Sequence, residues 1–182
     1  MSWPWALLCL LLLVLLLFWA VGAFKRLQQL RAAVVRAWQK VQEASVQRGE
    51  ALRPLVAALR EPLASEAQTL NQCLAALDLL AASQAAMNLQ PLAPPNTRHW
   101  AAAEAGFAAS ASRISSLLDQ YPDMQGQEPW QSLCAEWERA QGRMPFVRQL
   151  FGEAAGAYNT ALAEFPTRWL TRLFRFYPAG TV

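Results

Sequence analysis

The chain has one histidine and three cysteines in 182 residues, which leaves little to build a metal site from. A di-iron bundle needs Glu-x-x-His pairs on core positions, and none occur. No CxxC pair, HExxH, GxSxG or P-loop motif is present. His99 stands between Arg98 and Trp100 and reads as a surface residue. Cys9 falls in an apolar run, and Cys73 and Cys134 fall in helical patterns. Three scattered thiols make no disulfide framework and read as small buried hydrophobes. Carboxylates are sparse. Glu136 and Glu138 face different ways on a helix, and Asp119 and Asp123 flank a turn. A net charge of +3 without a dense basic patch excludes a nucleic-acid binder. No stretch alternates apolar and polar residues as a half-buried strand does. These absences point to an all-α protein that is not an enzyme and holds neither cofactor nor metal.

What the sequence has in quantity is apolar surface, 54% of its residues. From Trp3 to Phe24 there is no charge, a run about as long as the hydrocarbon layer of a bilayer at roughly 1.5 Å per helical residue. Trp3 and Trp5 mark one end, and Phe18, Trp19 and Phe24 lie toward the other, where amphipathic rings favour the headgroup level. A cleaved signal peptide is the competing reading, with Val21-Gly22-Ala23 as its cleavage site. Against it, MSWPW lacks a basic n-region and the apolar run is long for a signal core. A lipoprotein reading fails at Leu8, where a small residue would precede Cys9. Residues 1–24 are therefore expected to be a retained transmembrane anchor. Lys25, Arg26, Arg31, Arg36 and Lys40 follow it and no Lys or Arg precedes it, so the rest of the chain is expected on the cytoplasmic side.

Residues 25–166 show four stretches with apolar residues at three- and four-residue spacing, the seam of packed helices. The first, about 25–60, runs through Leu27, Leu30, Val34, Trp38 and Val41 to Leu52, Leu55 and Leu59. It continues from the anchor without a Gly/Pro linker, with a bend expected at Pro54. The second, about 62–90, opens at Pro62 and has the stripe Leu63, Ala67, Leu70, Leu74, Leu77, Ala81. PLAPPN at 91–96 ends it. The third, about 97–121, is expected to be capped by Asn96 or Thr97 and carries Trp100, Ala103, Phe107, Ser110, Ile114 and Leu117. The fourth, about 128–165, carries Trp130, Leu133, Trp137, Met144, Val147, Phe151, Tyr158 and Leu162, with a kink expected at Pro145. Short connections make neighbours antiparallel, so this is an up-down four-helix bundle whose fourth helix returns to the membrane that the first one leaves.

Two features stand out as candidate sites. Residues 167–182 form a basic, aromatic tail. Arg168, Arg172 and Arg175 share a helical face, with Trp169, Leu170, Leu173, Phe174 and Tyr177 around them. Read as chemistry, this is a short amphipathic helix in the interface, joined there by Lys25 and Arg26. Read as structure, the rings cap the bundle and the arginines are solvated. The second feature is Arg48, a charge on the apolar stripe of the first helix. Its stem snorkels to the surface, or it meets a partner such as Glu136 or Glu138, or a ligand.

Several elements resemble the LemA family of bacterial membrane proteins. Tyr121-Pro122-Asp123-Met124 followed by Glu128-Pro129-Trp130 is similar to the family's YPDLK-x-x-ENF element. AYNTALAEFP, residues 157–166, resembles its late YN-t-a-i-x-x-FP element. Ala37-Trp38 followed by Arg48, Glu50 and Leu55-Val56 resembles AW…RR-x-DLIPNLV. The chain is identified as a divergent member. Phe24-Lys25 stand where Tyr-Asn is usual, the paired arginines are reduced to Arg48-Gly49, and the proline falls one place late at Pro54. Gln141 stands where a glutamate is usual, and Pro145 is unusual. The resemblance covers most of residues 24–178. It implies a helical bundle behind one N-terminal span in the bacterial inner membrane, without a catalytic site. The implied role is a scaffold for membrane or membrane-associated protein partners or for self-association, and some relatives act in magnetosome membranes. The alternative is a membrane-shaping or lipid-organising protein that acts through its anchor and Arg-rich tail. The charge asymmetry around the anchor makes a prediction: alkaline phosphatase fused after Val182 stays inactive in a bacterial host, and an active fusion reverses the orientation.

Overall fold

The computed structural model describes residues 3–122, 128–164 and 177–180. Among these residues all regular structure is helical. The main helices are α1 (Trp3–Leu59), α2 (Ala67–Leu89), α3 (Pro94–Asp119) and α4 (Trp130–Ala163). A single 3-10 turn, Ala64–Glu66, precedes α2.

α1 is one helix of 57 residues, about 85 Å long at the standard rise. Its first part is long and apolar enough to cross a membrane. The large apolar side chains described between Trp3 and Phe18 are exposed and pack against no other part of the chain's core. Burial begins at Leu27 and recurs at Val34, Trp38 and Val41. The apolar segment and the bundle therefore share one unbroken rod, as the missing Gly/Pro linker implied. Pro54 is kept inside this helix. It lies on the exposed face with Glu50, whose carbonyl loses its usual N–H partner there.

Two helix starts differ from the sequence expectation. α2 begins at Ala67 and not at Pro62. Leu63 is buried at 1% exposure beneath the end of the bundle. To bring it there the chain turns tightly, with Leu63 N–H donating to the Leu59 carbonyl at 3.0 Å and Glu66 N–H to the Leu63 carbonyl at 2.9 Å. α3 begins at Pro94, with proline at its first two positions, and no side chain caps it. A ring with fixed φ and no N–H suits a first turn, whose N–H groups have no helical acceptor. Asn96 instead donates its Nδ2 to the Ala86 carbonyl at 3.0 Å and ties α3 to the end of α2. The buried stripe of α2 keeps the expected Leu70 and Leu77 but not the expected alanines. It is Leu70, Cys73, Leu77, Leu80, Gln84 and Met87, while Ala67 and Ala81 are exposed. Leu80 and Met87 carry more apolar area than the alanines they displace, and area removed from water decides the rotation.

α1 packs along α4, and α2 along α3. Arg26 meets Glu164, Trp38 meets Phe151, and Gln47 meets Arg143, so α1 and α4 run in opposite directions. Arg53 with Asp78 and Arg60 with Asn71 show the same for α1 and α2. Aromatic rings join the two helix pairs. Trp38 and Trp100 meet edge to face at 5.1 Å, Trp100 and Phe151 at 6.5 Å, and Phe107 and Trp137 at 6.4 Å. Such pairs add roughly 0.5–1.5 kcal/mol each beyond their burial. The indole N–H of Trp38 donates to Asn88 Oδ1 at 2.9 Å.

At the end of the bundle from which the anchor projects, residues 177–180 dock on α4 and on the α2–α3 connection. Asn159 holds Ala179 by two bonds, Nδ2 to the Ala179 carbonyl at 2.9 Å and the Ala179 N–H to Oδ1 at 2.7 Å. Tyr158 Oη donates to the Tyr177 carbonyl at 3.3 Å. Gly180 N–H donates to the Leu92 carbonyl at 3.3 Å. A Cβ on Gly180 would overlap the Thr97 side chain, so the close approach requires glycine there. The tail candidates Arg168, Trp169, Arg172 and Arg175 lie outside the described residues. The docking predicts that Asn159→Ala raises hydrogen exchange at the Ala179 amide without changing the helical content by circular dichroism. Unchanged exchange would remove Asn159 as its anchor.

Candidate functional site

Arg48 is held in the core at 2% exposure, so its stem does not snorkel to the surface. Its counter-charge is Glu104 of α3, and not Glu136 or Glu138, which are exposed on α4. Nη1 donates to Oε1 at 2.8 Å and Nη2 to Oε2 at 2.6 Å, a two-pronged fork on a carboxylate that is itself 2% exposed. Gln141 of α4 accepts a longer third bond, Nη1 to its Oε1 at 3.4 Å. The guanidinium carbon sits 4.8 Å from the centre of the Phe107 ring, within cation–π range. Arg48 Nε is buried and has no partner among the described residues.

The sequence explains this placement. Arg48 is seven residues beyond Val41 and four before Leu52, both fully buried, so its face of α1 points into the bundle. Glu104 is four residues beyond Trp100 and three before Phe107 on the buried face of α3. It was missed in the sequence reading. The signal that finds it is a lone carboxylate on an apolar stripe, facing another stripe that carries a lone guanidinium.

An open groove of about 710 Å³ runs between α3 and α4 down to this pair. Its walls include Ala108, Met144, Pro145, Arg148 and Gly152. Pro145 lies within α4 and has no N–H, so the Gln141 carbonyl lacks its helical donor beside the groove. The pair is not a proton-transfer couple. Arginine stays protonated, and both carboxylate oxygens are engaged. The arrangement can fix helix register and offer hydrogen-bonding groups to an occupant of the groove.

The other candidates are dispersed. Lys25 is exposed beside the anchor, and Arg26 makes a solvent-exposed pair with Glu164 at 3.5 Å. His99 is exposed on α3. No group of His, Cys, Asp and Glu that could hold a metal ion occurs among the described residues. Cys73 and Cys134 are free thiols. Burial pushes Cys73 up to about 11, and burial followed by the Glu138 charge pushes Cys134 up as well, so neither is activated as a thiolate.

One apolar helix that runs unbroken into an antiparallel helical bundle defines a class of membrane-associated bundle proteins. A family model for the LemA family matches residues 37–181, most of the chain, and the protein belongs to that family. It is not a family of known enzymes. The chain is also similar to the magnetosome protein MamQ of Magnetospirillum gryphiswaldense, 24% identical over 74 residues. The match covers 41% of this chain and 27% of that protein.

The buried fork makes a prediction for stability. Arg48→Met or Glu104→Leu alone leaves one charge in the core without its partner and destabilises the bundle by about 3–5 kcal/mol. The double variant recovers most of that loss. Thermal or urea unfolding in detergent, read by circular dichroism, checks it. Additive losses in the double variant would show that the two residues act separately.

Proposed function

We propose that the protein is a non-enzymatic scaffold that holds a rigid helical bundle at the bacterial inner membrane, on the cytoplasmic side, for protein partners or copies of itself. The observation that carries this reading is the continuity of α1 from Trp3 to Leu59. A helix without a break transmits the position of the anchor to the bundle. The far end, near the α1–α2 connection, then stands about 50 Å beyond the apolar run at the helical rise. Family membership supports the reading, as does a relative named for the magnetosome and not for a reaction.

Contact with a partner needs exposed apolar surface beyond the anchor. Phe146 on α4 is 63% exposed, next to Pro145 on the wall of the α3–α4 groove. We place the partner's contact there. A photo-crosslinking amino acid at position 146 of the full-length protein in cells is expected to capture a protein partner or a second copy. Phe146→Asp should abolish co-purification of the captured protein and leave stability within about 0.5 kcal/mol, as for a surface change. Recovery of lipid alone would favour the membrane-organising alternative, which draws support from exposed Leu89 and Tyr177 at the anchor end.

A further inference from the structure

A second cleft, of about 610 Å³, opens at the anchor end of the bundle, away from the Arg48 groove. It is formed where the α2–α3 connection and residues 177–178 lean against α1 and α4. Leu89, Leu92 and Pro94 line it from the connection, Tyr158 and Tyr177 from α4 and the docked segment, and Arg31 from α1. Its size is in the range of small-molecule sites, which are mostly apolar with a few fixed polar groups.

Three observations indicate what would occupy it. The first is charge. Among the described residues lining the cleft, Arg31 alone is charged, and it is exposed. It has neither an ion pair nor a hydrogen bond among the described residues. The phenol of Tyr158 lies near enough that the Arg31 charge opposes the upward push of burial on its ionisation. A guanidinium in an apolar cleft, with no carboxylate beside it among the described residues, favours an anion with an apolar body. The second is exposure. Leu89 is 84% exposed and Tyr177 70%, and both line the cleft. Water is a poor neighbour for such a rim, and acyl chains are a good one. The third is height. Arg31 is seven residues beyond Phe24, the last residue of the uncharged run, or about 10 Å along α1. The polar layer of a bilayer is roughly 5–8 Å thick on each side, so the Arg31 backbone stands a few ångströms above it, and its long side chain reaches back to the phosphate of a lipid that rises partly out of the leaflet.

We infer that this cleft binds an anionic glycerophospholipid of the surrounding bilayer, with the phosphate on Arg31 and the glycerol and upper acyl chain against Leu89, Leu92 and Tyr177. The inference rests on the membrane span and not on the scaffold role. A docked lipid clamps the α2–α3 connection and residues 177–180 to the bilayer, and so fixes the tilt of the bundle on its anchor.

Full-length protein in nanodiscs of equal parts phosphatidylglycerol and phosphatidylcholine tests this by native mass spectrometry. The wild type should retain phosphatidylglycerol, and Arg31→Gln should retain about tenfold less, the value of one charge-assisted hydrogen bond. Arg113→Gln, at an exposed arginine of α3 outside both grooves, should match the wild type. Phosphatidylglycerol with a photoactivatable acyl chain should label residues 89–94 in the wild type. Both variants must still sediment with the bilayer under carbonate, so that loss of retained lipid is separated from loss of the span. Equal retention by Arg31→Gln, labelling confined to residues 3–24, or displacement of the lipid by inorganic phosphate alone would overturn the lipid assignment.

Discussion

A guanidinium taken out of water needs a fixed counter-charge, and in this bundle that need ties two helix pairs together. α1 packs along α4 and α2 along α3, each pair through close backbone approach. Between the pairs the contacts are long side chains. Three are pairs of aromatic rings, which tolerate small slips. The Arg48–Glu104 fork does not, because both oxygens and both terminal nitrogens must meet in one plane. Sliding α3 along α1 by one residue breaks two charged bonds at 2% exposure. Its contribution is therefore mainly to register. An apolar pair of similar volume could match it in stability.

With register fixed at mid-height, the rest of the geometry follows from length and direction. α1 is continuous with the apolar segment, and α4 runs back beside it until Glu164 reaches Arg26. The α2–α3 connection comes down at the level of Arg31 and Val35, where Gly180 and Leu92 join it to the last residues described. Both ends of the described bundle thus gather beside the apolar segment. Tyr158 and Asn159, in the element that resembles the LemA family's YN motif, act here as structure. One holds the Tyr177 carbonyl and the other grips Ala179 from both sides.

The helices and their directions were legible in the sequence because three- and four-residue apolar spacing is a local signal. Trp38, Trp100, Phe107, Trp137 and Phe151 were all expected in the core and all are buried. The alanines of the α2 stripe were misread because alanine satisfies an apolar pattern without committing to a face. The start of α3 escapes the sequence because the proline ring that breaks a helix also begins one, as Pro94 and Pro95 do here. Arg48 was visible as an anomaly, but its partner was not. Pairing across a bundle depends on which helices face each other, and helical periodicity does not encode that. Glu136 and Glu138 were considered for the antiparallel neighbour, whereas the carboxylate came from the helix that runs parallel to α1.

Gln141 shows how the site stays balanced. It occupies the place where the family resemblance expects a glutamate, and it contacts the same guanidinium. With Glu104 already bonded through both oxygens, a second carboxylate at 141 would set two anions, one buried and one half-buried, against one cation. Their repulsion at low dielectric would raise the ionisation range of one of them or force the site open. A neutral amide keeps the acceptor and removes the excess charge. Acid on α3 and amide on α4 together leave the site neutral with its arginine in place.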